Sequence, residues 1–125
     1  MKLEVNHPLL GLNIDIPQQN GMSFKVNLYL EGDELHLCAG DLLWLEWFPC
    51  NESEIVQKFF DAVRGVLTGK YRILEYYRFG RGVKALLQRP GSVGWETIGT
   101  SSSGMFPISW GIRTKVLQNV MDSEN

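Results

Sequence analysis

The chain has 125 residues, 44% of them hydrophobic, a formal net charge of −2 and a pI near 5.6, enough to bury one core without disulfides or metal, so one domain over 1–125 is expected. No apolar run approaches the roughly 20 residues of a membrane span, and MKLEVNHPLLGLNIDIP lacks the apolar stretch and cleavage site of a secretion signal. These features point to a cytoplasmic protein with no membrane partner, and the acidic pI argues against general nucleic-acid binding.

Leu10, Leu12, Ile14 and Ile16 alternate with polar residues, the period of a strand with one buried face, which Pro17 ends. Residues 18–21 read as a turn. Met22, Phe24, Val26, Leu28 and Leu30 repeat the alternation, and Glu31-Gly32-Asp33-Glu34 turns the chain into a hairpin. Leu35, Leu37 and Ala39 return on the apolar face, with His36 and Cys38 on the other. After Gly40-Asp41, the run from Leu42 to Phe48 is apolar on both faces, so cover on both sides is expected.

The period then changes. Asn51 and Glu54 have capping-box spacing, with Ser53 an alternative cap. Ile55, Phe59, Ala62, Val63, Val66 and Leu67 form one apolar stripe, so the principal helix runs over about 52–68 and ends at Gly69. Gly65 inside it costs about 1 kcal/mol against Ala.

Alternation resumes from Tyr71 to Phe79, with Glu75 intruding on the Ile73/Tyr77 face. Gly80-Arg81-Gly82 turns, Val83 to Gln88 is a strand, Arg89-Pro90-Gly91-Ser92 turns again, and Val93 to Thr100 is the final strand. Thr100 to Gly104 reads as a polar loop and 107–111 as irregular. Ile112, Val116, Leu117 and Val120 define a short C-terminal helix, after which 121–125 fray. The expected fold class is α+β, with an antiparallel sheet of about six to seven strands and the helix packed on one face.

Few residues suggest chemistry. His36 and Cys38 lie two apart and could share a metal, with Cys50 as a third ligand, but this is short of a full ligand set; His7 stands apart near the terminus. The reading is no metal, no cofactor and two reduced, separate thiols. No nucleophile elbow, zinc-protease helix or phosphate-binding loop occurs, so no catalytic residues are assigned and the protein reads as non-enzymatic. Asp33/Glu34 fit a solvated turn and Glu52/Glu54 a helix start. Gly99 to Gly104 has the amides and hydroxyls to cradle an anion, yet lacks an adjacent lysine and reads better as a surface loop.

Charge carries the functional signal. Residues 1–61 hold ten carboxylates against three cations, a net −7, and 62–91 hold seven cations against Glu75, a net +6. Such segregation favours charged partners. Asp33, Glu34, Asp41, Trp44, Glu46 and Trp47 form the expected partner-binding face: acidic groups for a basic partner, with aromatic anchors. This describes a protein-binding module of the inhibitor or immunity type, neutralising a basic protein such as a toxin nuclease. The alternative is a nucleic-acid face on the strand region 70–84, using Arg72, Tyr76, Arg78, Arg81 and Lys84. A small ligand-binding domain or enzyme with scattered site residues is the third class. Oligomeric state is not legible.

Overall fold

The computed structural model describes residues 2–6, 11–102 and 111–120. The order is β1 (Glu4–Asn6), β2 (Gly11–Ile16), β3 (Val26–Glu31), β4 (Glu34–Ala39), β5 (Leu43–Trp47), α1 (Ser53–Thr68), β6 (Arg72–Arg78), β7 (Arg81–Gly91), β8 (Gly94–Ser102) and β9 (Ile112–Leu117). The class is α+β, as expected. The strands form two antiparallel sheets, ordered β1-β2-β3-β4-β5 and β8-β7-β6-β9, in place of one sheet of six to seven strands.

Alternation explains the layers. Val26, Leu37, Ala39 and Leu43 from the first sheet meet Ile73, Ala85, Leu87 and Leu117 from the second. Phe59, Ala62, Val63 and Val66 of α1 join the same core, so the helix stripe read from the sequence is the buried one. Gly65 is required there: a side chain would run into the ring of Tyr71, which packs on the helix. Gly69 ends the helix in the left-handed conformation, φ 81°. The start differs from expectation. Glu52 is the N-cap and makes no side-chain capping bond, so neither the Asn51–Glu54 box nor a Ser53 cap forms.

Four further readings change. Met22 and Phe24 are buried, but they precede β3; their segment is tied to the C-terminal stretch, with Ser23 N–H donating to Asn119 Oδ1 at 2.7 Å and Val120 N–H to Gly21 O at 2.8 Å. The C-terminal helix is absent: Ile112–Leu117 is a strand, because the free edge of β6 offers a complete ladder to it. Leu117 is buried while Val120 is exposed, so these residues share no helical stripe. β5 is not covered on both sides, since Trp44 and Glu46 face outward. The polar segment 100–102 belongs to β8, where Ser101 Oγ–H donates to Leu42 O at 3.0 Å and accepts from Trp44 N–H at 3.2 Å. The expected positions Leu10, 103–110 and 121–125 lie outside the described residues.

Glu75 on β6 is fully buried, 0% exposed, and both its oxygens are used. Tyr77 Oη–H donates to Oε1 at 2.7 Å and Asp41 N–H to Oε2 at 3.1 Å, joining the second sheet to the β4–β5 turn of the first. A side-chain carbon at Gly40, φ 63°, would stand 3.1 Å from Oε2.

Two outcomes test this architecture. Phe59→Ala is expected to cost about 3–5 kcal/mol in denaturant melts, because Phe59 is buried edge-on to Trp47. Tyr77 is expected to ionise last of the four tyrosines in a spectrophotometric titration: burial first, then the bond and charge of Glu75, push its hydroxyl from 10.0 up to about 12. A raised pKa means that this contribution to stability is complete below about pH 10 and is lost as pH climbs through about 12. Glu75→Gln is expected to move the titration back toward the ordinary value.

Candidate functional site

The outward positions of the first sheet make one continuous face. In β1 to β5 the described charged residues are Glu4, Asp15, Glu31, Glu34 and Glu46, and all five fall on the outward parity. Two pairs of carboxylates stand directly opposite each other, Glu4↔Asp15 and Glu31↔Glu34. Like charges so placed destabilise a sheet.

An aromatic row runs from the central strand β3 to the edge strand β5 of this face. The Tyr29 and His36 rings stack at 4.2 Å and 6°, and His36 and Trp44 are parallel within 5° at 5.9 Å. Register explains it: the two-residue turn Gly32-Asp33 sets Glu31 opposite Glu34, and therefore Tyr29 opposite His36. His36 is 3% exposed, whereas Trp44 is 51% exposed. Trp44 Nε1–H donates to His36 Nδ1 at 3.1 Å, and His36 Nε2 meets Glu34 Oε1 at 3.0 Å. Indole N–H only donates, so Nδ1 holds the lone pair, Nε2 carries the hydrogen, and the imidazole is neutral. Glu46 Oε2 lies 3.9 Å from Nδ1. Burial, with the charges of Glu31 and Glu46 adding, raises the Tyr29 hydroxyl above its ordinary value.

The expected partner face is thus partly assembled. Glu34, Trp44 and Glu46 come together, and Asp33 sits beside Glu34 in the β3–β4 turn. Asp41 lies at the other end of β4, about 20 Å away along the strand. Trp47 points inward and packs on the core, edge-on to Phe59. Sequence reasoning left out Tyr29 and used His36 only as a metal candidate. The hairpin turn was the signal that would have joined them.

The second sheet carries the opposite face. Arg72, Tyr76 and Arg78 share the outer side of β6; Lys84 stands opposite Tyr76, and Arg81 opposite Arg78. Every residue of the expected nucleic-acid face is therefore brought together, with no carboxylate at the outward positions of β6 and β7. The rings are already in use: Lys84 Nζ lies 4.8 Å from the Tyr76 centroid, and the Arg72 guanidinium 4.4 Å above Trp95.

Among the described residues, the metal-ligand types that converge are Glu34, His36 and Glu46, with ligand atoms within 4.8 Å of one another, rather than His36, Cys38 and Cys50. Cys38 and Cys50 are both free. No described helix is long and apolar enough to cross a membrane. No family model, curated protein or solved structure matches this chain.

Burial holds the Cys38 thiol above its ordinary value. Alkylation of the native protein at neutral pH is therefore expected to be slow at Cys38 and to accelerate as pH rises, while denatured protein takes up two equivalents, as peptide mass mapping would record.

Proposed function

We propose that the protein is a non-enzymatic binding module whose outer face on the first sheet engages a basic protein, acting as an inhibitor or immunity-type partner. The observation that carries this reading is the five-carboxylate face, with its opposed Glu4↔Asp15 and Glu31↔Glu34 pairs and the half-exposed Trp44 on its edge strand β5. The chain tolerates like-charge repulsion that a basic partner would relieve. Such a field speeds encounter, and an aromatic anchor limits dissociation. A nuclease, which needs a basic surface for its own substrate, is one protein of this description.

The second sheet supports a second reading, nucleic-acid binding through Arg72, Tyr76, Arg78, Arg81 and Lys84, because adjacent strands gather them on one face. It ranks lower because Lys84 and Arg72 cover the rings that bases would stack on.

One pair of measurements separates the two. The double reversal Glu34→Lys/Glu46→Lys is expected to lower the association rate for the basic partner by at least about tenfold and to weaken its salt dependence, while Arg72→Ala/Arg78→Ala leaves it unchanged. A mixed-sequence oligonucleotide titrated at about 50 mM salt is expected not to bind; micromolar binding that fades by about 200 mM would reverse the order.

A further inference from the structure

The point where Glu34, Trp44 and Glu46 meet has a more specific chemistry than net charge. We infer that it is a seat for an arginine side chain, with the guanidinium plane on the exposed indole of Trp44 and its N–H groups donated to Glu46 and Glu34. This rests on the reading of the acidic face as the partner surface, and it names the group the partner presents.

The site first has to be told apart from a metal centre. A metal needs a nitrogen lone pair, and His36 has none to spare: Nδ1 accepts from Trp44 and Nε2 carries its hydrogen toward Glu34. The Glu34, His36 and Glu46 atoms lie within 4.8 Å of one another, so one cationic group can reach both carboxylates with charge-assisted hydrogen bonds of about 2.8 Å. The two carboxylates keep lone pairs for such a donor, with side chains 46% and 53% exposed. The neutral imidazole between them leaves their charge uncompensated.

Arginine is then favoured over lysine by the indole. Trp44 and Glu46 are two residues apart on β5 and share its outer face, about 7 Å along the strand. A planar guanidinium can lie on the ring and still reach the carboxylate, whereas an ammonium acts as a compact point charge. His36 supports the platform, accepting the indole N–H at Nδ1 with the two ring planes parallel within 5°. The chain makes the same pairing on its other side, where Arg72 lies over Trp95 while donating to Gln88 Oε1 at 2.8 Å.

The test titrates isotope-labelled protein with a hexa-arginine amide and, separately, a hexa-lysine amide, following the Trp44 indole N–H resonance identified by its loss in Trp44→Phe. Hexa-arginine is expected to bind at least about fivefold more tightly and to shift that resonance. Trp44→Ala is expected to remove the preference for arginine, and Glu46→Gln to weaken hexa-arginine about tenfold. Both variants change exposed positions, so folding is checked by the remaining spectrum. If the two peptides bind equally through Glu34 and Glu46, the acidic face stands and the arginine seat is overturned. If neither peptide binds, or Glu34→Lys/Glu46→Lys leaves binding unchanged, both the seat and the acidic-face reading fall.

Discussion

The fully buried carboxylate of Glu75 sets how the two sheets lie on one another. A charge in that position is costly unless its oxygens are satisfied, and the two donors it finds, Tyr77 Oη–H and Asp41 N–H, come from different sheets. A sheet shifted by one residue would leave an oxygen without its donor, at a cost of about 1–3 kcal/mol or more for a charged group. An apolar residue of similar volume could serve stability as well. What the carboxylate adds is a defined relation between β6 and the β4–β5 turn, and hence between the two faces the sheets carry.

Those faces follow from a single constraint. Each sheet gives one side to a shared core, so a charged residue must either use the other side or stay exposed at a margin, as Arg113 and Lys115 do on the edge strand β9. Glu75 is the described exception in the core, and its bonds show what an exception requires. The acidic and basic blocks of the sequence map onto different sheets, so opposite charges end up on opposite outer sides. Packed sheets are about 10 Å apart, and screening at physiological salt acts over about 8 Å. A partner at either face therefore meets that face's charge rather than the molecular total of −2.

The sequence made the core legible because burial repeats at fixed periods: the α1 stripe and the inward residues of β3, β4, β6 and β7 all follow from spacing. It did not reveal that the strands divide into two sheets, since alternation records which side is buried and not what it is buried against. Ile112–Leu117 was misread because Ile112, Val116 and Leu117 also suit a helix; the free edge of β6 decided the matter, and that edge is a tertiary fact. The basic face was legible because its residues lie on one hairpin. The acidic face was legible only in part. Asp41 and Trp47 are close in sequence to Trp44, but the β4–β5 turn puts the first at the opposite end of β4 from Glu34, and parity turns the second inward.

The two faces are not equivalent in what they can still bind. On the second sheet, Tyr76 and Trp95 are covered by Lys84 and Arg72, so much of that face's cation and aromatic chemistry is spent within the chain. It has one opposed like-charge pair, Arg78↔Arg81, at the hairpin end. On the first sheet, none of the five carboxylates shares its strands with a cation, and two opposed pairs repel across the ladder. The aromatic row is held by His36 rather than by a cation, so it adds order without neutralising charge. A surface that keeps both its charge and an exposed ring has interactions left to make, and the group that completes both at once is cationic and planar.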